Sequence, residues 1–180
     1  MIEIIAGTNR PGSNTKKLAG LILGLYQDLG VEAQILSLEQ MPPEIFDPSS
    51  YAEKPESFTP LSDRVLDSEG LHIIVPEYNG SFPGVMKYFI DMLKFPQSFE
   101  HRCVAFTGQA AGIWGAFRSV EQLQMIFAYR NAYILPERVW IPSINEQWEE
   151  PGVSFKDPVI LKRLRDQAEK FTQFVKVRTD

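Results

Sequence analysis

Five short apolar runs alternate with longer stretches of helical period, and this alternation limits the folds open to the chain more than any other feature. Ile2 to Ala6 is a compact strand candidate. A loop rich in Gly, Pro, Ser and Asn follows it, and then Leu18, Leu21, Ile22, Leu25 and Leu29 recur at helical spacing, with Gly30 as the stop. Val31 to Leu38 reads as a second strand. Leu71 to Val75, a near-continuous apolar run, has the pattern of a strand buried on both faces of a parallel sheet. Val85, Met86, Phe89, Ile90 and Leu93 mark an amphipathic helix, and Arg102 to Thr107 a fourth strand. The next helix carries Phe117, Val120, Gln124 and Phe127, with Leu123 and Ile126 flanking the stripe. Tyr133 to Ile141 is the fifth strand, where Pro136 predicts an edge position or a break. Ile160, Leu164, Ala168, Phe171 and Val175 close the chain with a helix. Such an order implies an α/β domain, with a parallel sheet, right-handed crossovers and helices on both faces.

Two stretches break the rhythm. Glu39 to Pro60 is rich in Pro, Ser and acid, long enough to suggest a functional flap or a partner surface, and Leu61 to Ser68 after it is a short helix candidate. Asn145 to Asp157 reads as irregular. At 180 residues the whole chain, 1–180, is expected to be one domain.

Charge narrows the function classes. A net charge of −5 and a pI near 5.2 argue against nucleic acid, whose phosphates need a basic face, and against an anionic membrane surface. No run approaches the ~20 apolar residues of a membrane span, and the N-terminus runs straight into the first strand without a basic or long apolar leader, so the cytoplasm is the expected location. Cys103, the one cysteine, lies in an apolar run and is expected to be a buried structural thiol. His72 and His101 show no metal or triad spacing, and there is no Gly-x-Ser-x-Gly elbow or Cys/His cluster. No metal site and no catalytic acid or base is therefore nominated.

In a domain of this kind ligands sit beyond the carboxyl ends of the strands, so the loops after strands one, three and four are the places to look. Gly7 to Gly12 spans G-x-x-x-x-G, but Ser13-Asn14 stands where a nucleotide-triphosphate loop needs Lys and Ser/Thr, and G-x-G-x-x-G is absent. Ser13, Asn14 and Thr15 put short hydroxyl and amide groups at a helix start, where unpaired N–H groups and partial positive charge favour a phosphate. Arg10 adds a planar charged donor. Taken alone, the loop fits a phosphate seat and a plain Ser13 N-cap equally well, and its place after the first strand favours the phosphate. The loop carries no Asp or Glu for Mg²⁺, which points to a monophosphate.

After strand three comes Pro76-Glu77-Tyr78-Asn79-Gly80-Ser81-Phe82-Pro83-Gly84-Val85-Met86-Lys87. With this loop and the apolar helix after it, the chain resembles the NADPH-dependent FMN reductase family, which includes quinone, chromate and azo-dye reductases. The likeness runs from Met1 to about Phe127 and takes in the Gly7–Thr15 loop. It implies a flavodoxin-like three-layer α/β/α sandwich with strand order 2-1-3-4-5 and FMN at the switch between strands one and three. By position it implies that Thr8, Arg10, Ser13, Asn14 and Thr15 bind the FMN phosphate, while Pro76, Glu77, Tyr78, Asn79, Gly80 and Ser81 wrap the isoalloxazine ring. Glu77 fits a flavin ligand and a subunit-interface salt bridge equally.

The match loosens in Thr107-Gly108-Gln109-Ala110-Ala111-Gly112-Ile113-Trp114-Gly115. Gly108 and Gln109 are expected to contribute to the cofactor site, but Ile113 and Trp114 stand where relatives carry a Gly-Gly pair. Trp114 fits a wall of the substrate pocket or interface packing. The resemblance implies an oxidoreductase that passes electrons from NAD(P)H through FMN to a small acceptor (a quinone, azo compound, metal oxyanion or free flavin) in a ping-pong order. Two other readings stay open: a flavodoxin-type electron carrier, and a flavin-free interaction module. The helix with Met86, Phe89, Ile90, Met92, Leu93 and Phe95 is apolar over more than one stripe, so part of it is expected to bury in a partner subunit, giving a homodimer or homotetramer.

Overall fold

In the computed structural model, which describes residues 1–149 and 154–179, the strands are β1 (Ile2–Ala6), β2 (Ala33–Ser37), β3 (Gly70–Pro76), β4 (Cys103–Gln109) and β5 (Tyr133–Ile141). They form one sheet in the order β2-β1-β3-β4-β5, every pair parallel. The helices are α1 (Asn14–Asp28), α2 (Thr59–Asp67), α3 (Gly84–Met92), α4 (Phe117–Tyr129), the short α5 (Ile144–Gln147) and α6 (Pro158–Thr179). The flavodoxin-like order implied by the sequence is the order observed. Strands β3 and β4 run further than expected, so Pro76, Gly108 and Gln109 are strand residues.

Side chains alternate across the sheet and build two cores. Ile5, Leu71, Ile73, Val75, Val104 and Phe106 pack on α2, α3 and α4, while Ile4, Ala6, Ile74, Cys103 and Ala105 pack on α1 and α6. Cys103 is buried and unpaired, as its apolar context suggests. Along α4 the buried face runs through Ser119, Val120, Leu123 and Phe127, whereas Phe117 is exposed. The stripe is therefore centred on Leu123.

The long segment after β2 and the over-apolar α3 account for each other. Residues 38–58 fold into four single 3₁₀ turns, Leu38–Gln40, Pro43–Phe46, Pro48–Tyr51 and Glu56–Phe58. Leu38, Ile45 and Phe58 from these turns are buried with Val85, Met86, Phe89 and Ile90 of α3. The Phe58 and Phe89 rings meet edge to face at 6.1 Å, and those of Phe46 and Tyr88 at 4.6 Å. The second apolar stripe of α3, expected to need a partner subunit, is covered by the chain's own strap. What stays exposed beyond it is Phe95.

Pro136 has the effect its chemistry requires. β5 is an edge strand, and its pairing to β4 slips between Val104 and Phe106, which oppose Ile134 and Arg138. Gln167 of α6 repairs the gap. Its Nε2 donates to the carbonyls of Phe106 (2.9 Å) and Glu137 (3.0 Å), so its Oε1 is the acceptor. Thr107 donates its hydroxyl to that oxygen at 2.7 Å and accepts from His72 Nε2 at 2.9 Å. His72 Nδ1 is left unprotonated and accepts from the Tyr26 hydroxyl at 2.8 Å. The chain of donors leaves room only for neutral imidazole, and full burial pushes its pKa from 6.5 down to about 3.

That depression fixes a sign. The unfolded chain takes up a proton on His72 below pH 6.5 and the folded one does not until about pH 3, so stability is complete above 6.5 and falls with pH through that window. Denaturant unfolding between pH 6.5 and 5, where most carboxylates stay charged, is expected to lose stability at up to about 1.4 kcal/mol per pH unit, and His72→Asn to remove most of that slope.

Candidate functional site

β1 and β3 are neighbours, so the loops that follow them leave the same edge of the sheet. Gly7 is the point of closest approach. Its N–H donates to the Ile74 carbonyl at 2.9 Å, and a Cβ there would stand 2.8 Å from that oxygen. Only glycine lets the first loop turn this close to β3.

Beyond Gly7, Thr8 is buried, and its Oγ1 lies 3.2 Å from the Tyr78 hydroxyl, tying the two loops together. The Arg10 N–H donates to the same Thr8 oxygen at 3.3 Å. Gly12, at φ +63°, turns the chain into Ser13, which caps α1 by accepting from the Lys16 N–H at 3.2 Å. Ser13 is thus the N-cap of the plainer reading, and this leaves the site intact: the Asn14 and Thr15 N–H groups, earlier in the first turn, have no acceptor inside the helix. Thr15 is buried and accepts from Gln109 Nε2 at 2.9 Å, which joins the start of α1 to the end of β4.

On the far side, Asn79 (φ +53°) and Gly80 (φ +78°) form the central pair of a tight turn of the type I′ kind. It is closed by Tyr78 N–H to Ser81 O at 2.8 Å and Ser81 N–H to Tyr78 O at 3.1 Å. Ser81 donates to Gln122 of α4 at 2.5 Å, and Gln122 donates back to the Gly80 carbonyl at 3.3 Å, which fixes the turn against the helix. Glu77 pairs through Oε1 with Arg118 at 3.1 Å, within the chain, and Arg118 lies 5.9 Å from the Trp114 ring. Glu77 Oε2 is buried and has no hydrogen-bond partner among the described residues.

The two loops and the end of β4 enclose a cleft of about 380 Å³. Of the residues expected to contribute, Arg10, Ser13, Asn14, Pro76, Glu77, Tyr78 and Gln109 line it. Thr8 and Thr15 stand buried behind it as anchors. Asn79, Gly80 and Ser81 form the turn at its edge and do not line it. Gly108 is a packing position: a Cβ there would meet the Gly115 carbonyl at 2.7 Å and Val120 at 2.9 Å. Trp114 is exposed on the surface beside Arg118, outside the cleft lining.

Four lining residues were not nominated singly from the sequence: Ala110 and Ala111, within the loop after β4 that position singled out, and Ile144 and Asn145, which had no signal. They come together because Ser143, at φ +47°, folds the chain back after β5, and the Ile144 N–H donates to the Ala110 carbonyl at 3.0 Å. The usable hint was positional, since parallel strands bring the loop after β5 beside the loop after β4.

The cleft thus offers hydroxyl, amide and first-turn N–H donors with one guanidinium at one end, and the Pro76–Tyr78 segment at the other. The chain is also similar to known proteins. The profile of the family described as NADPH-dependent FMN reductase matches residues 1–146, a span that reaches past Phe127 and takes in Ile144 and Asn145. An "FMN reductase (NADPH)" of Pseudomonas aeruginosa is 23% identical over 141 residues, covering 78% of this chain and 75% of that protein. The "NADH:(hydroxy)cinnamate reductase subunit CrdA" of Vibrio ruber is 26% identical over 123 residues, covering 68% of this chain and 59% of that protein, less than two thirds of the relative's length. The solved structure of FerB, a flavoenzyme NAD(P)H:(acceptor) oxidoreductase from Paracoccus denitrificans, superposes with a TM-score of 0.80 at 25% identity, over 98% of this chain and 97% of that one.

Gly7→Ala tests how far the cleft depends on the approach of its loops. The added methyl meets the Ile74 carbonyl oxygen, a rigid backbone atom, and is expected to cost about 1–3 kcal/mol in denaturant unfolding. A neutral result would show that the first loop does not need its contact with β3.

Proposed function

Since the chain belongs to the NADPH-dependent FMN reductase family, we propose that it is an oxidoreductase that binds one FMN in the cleft between the β1 and β3 loops and uses NAD(P)H as electron donor. Bound there, FMN supplies hydride acceptance from the nicotinamide and onward delivery of electrons to an acceptor. The observation that carries this reading is the convergence, in one cleft, of a phosphate-type donor set at the start of α1 and the Pro76–Tyr78 segment of the β3 loop.

The residues fit that ligand. Arg10, Ser13 and Asn14, with the first-turn N–H groups of α1, hold the phosphate. The donors there are neutral apart from one guanidinium and no carboxylate stands in the loop, which suits a monophosphate without a divalent ion. Thr8 and Thr15 act from behind by fixing Tyr78 and Gln109. Pro76, Glu77 and Tyr78 border the ring, the Asn79–Ser81 turn sets the position of that border, and Gly108 lets β4 pack closely under it. No side chain is assigned the part of an acid or base.

Nicotinamide and acceptor occupy the open side of the cleft in turn, a ping-pong order, and the acceptor is a small flat or compact oxidant such as a quinone, azo compound, metal oxyanion or free flavin. The whole chain acts as a single domain and works in the cytoplasm. Among the described residues no helix is long and apolar enough to cross a membrane. Assembly as a homodimer or homotetramer is supported by α4, where Phe117, Met125 and Tyr129 are exposed at multiples of four residues.

A steady-state assay of NADPH and NADH oxidation with FMN and a quinone is the direct test. Turnover with either nicotinamide is expected. FMN binding without turnover would favour an electron carrier, and failure to bind FMN an interaction module. Arg10→Gln is expected to weaken FMN by roughly tenfold while leaving riboflavin, which lacks the phosphate, unaffected. Equal loss for both ligands would remove Arg10 from the phosphate site.

A further inference from the structure

Trp148 lies just past α5, beyond the span that the family profile matches. Its indole Nε1 stands 2.9 Å from Oδ1 of Asn14, the first residue of α1. An indole N–H can only donate. The contact therefore identifies that Asn14 atom as the oxygen and makes the other end of the amide the NH₂ group. This NH₂ donates to Asn145 Oδ1 at 2.7 Å, and among the described residues the NH₂ of Asn145 has no hydrogen-bond partner. Asn14 and Asn145 both line the cleft beside Ser13 and Arg10.

We propose that Trp148 is a positioning residue for the phosphate seat: its donor-only N–H orients two asparagine amides in series, so that both present N–H groups to the anion. This rests on the FMN reading above. An asparagine amide turned over by half a rotation has almost the same shape and presents its carbonyl oxygen instead, which repels a phosphate oxygen. Nothing in the shape of the cleft chooses between the two orientations. The indole chooses, because a flipped Asn14 would set NH₂ against N–H.

The indole itself is held in place. Its ring lies 4.6 Å from that of Phe155, Trp148 and Phe155 form an antiparallel backbone bridge, and Phe155 is buried in the core between the sheet and α6. The Lys156 N–H donates to the Gln147 carbonyl at 2.7 Å, which extends the same pairing. Of the segment that looked irregular in the sequence, residues 150–153 lie outside the described residues, and the described parts, 145–149 and 154–157, act as a clasp that links the core to the phosphate end of the cleft through one hydrogen bond.

The test separates orientation from packing. Trp148→Phe keeps an aromatic ring against Phe155 and removes the N–H. Titration of wild type and variant with FMN and with riboflavin, followed by flavin fluorescence, is expected to show FMN weakened roughly tenfold and riboflavin unchanged. Asn145→Asp, an exposed change that keeps the shape and replaces donor by acceptor, is expected to show a larger loss confined to FMN, and it decides the matter if Trp148→Phe melts early. Either variant binding FMN as the wild type does, or losing FMN and riboflavin in equal measure, overturns the proposal. Failure of the wild type to bind FMN is read in its own arm and overturns the functional reading along with it.

Discussion

The contact between Gly7 and the Ile74 carbonyl is the constraint on which the rest of the site depends. A parallel sheet makes β1 and β3 neighbours, but neighbours alone do not make a cleft, because two loops leaving adjacent strands can splay apart. Here the first loop is drawn onto the end of β3 before it turns away, and only a residue without a side chain allows that distance. Thr8 then lies buried where it meets the Tyr78 hydroxyl, and the start of α1 comes within reach of Gln109. Three loops and one helix start are tied by single hydrogen bonds to a rigid frame. A site built so offers fixed donors to its ligand, and fixed donors cost little to reorganise on binding.

Much of this was legible in the sequence, for reasons that differ by element. The strands were plain because buried parallel strands are continuous apolar runs, and Ile2–Ala6 was recovered to the residue. The edge position of β5 followed from Pro136, which cannot donate to a ladder. The two loops that border the cleft were singled out by their unusual composition at strand ends. The pairing of the 38–58 strap with α3 was not legible, since its four single turns have no periodicity to detect and their few apolar residues, Leu38, Ile45 and Phe58, gain meaning only against α3. The excess apolar surface of α3 was correctly seen and wrongly matched: a pattern shows that a surface must be covered and not by what. Gly108 was likewise noticed as special, but its reason is close packing against Gly115 and Val120.

The asparagine at 145 was out of reach for another reason. It sits in a stretch without motif or period, and its place at the cleft is created by the reversal at Ser143 and by pairing to Ala110. Such contacts are long-range in sequence and single in number, so they leave no local trace. The polar core behaves in the same way. Tyr26, His72, Thr107 and Gln167 are scattered over the chain, and each alone looks like an ordinary buried polar residue. Joined, they partner one another and reach the Phe106 and Glu137 carbonyls beside the bulge at Pro136.

The same logic operates in the core and in the cleft, with opposite ends. In the core, a chain of assigned donors links the Gln167 amide to the Tyr26 hydroxyl, so each side chain in it has its partner. At the cleft, a chain begins at the Trp148 indole and runs through Asn14 to Asn145, whose NH₂ has no hydrogen-bond partner among the described residues. A closed chain contributes stability and specifies one arrangement of the fold. An open one is incomplete until an acceptor arrives, and on the proposed reading that acceptor brings oxygen lone pairs to the start of α1. In a chain of net charge −5 this matters, because the field of the whole protein does not draw anions in. On the proposed reading, attraction for a phosphate is made locally, by a helix start, one guanidinium and amides turned the right way round.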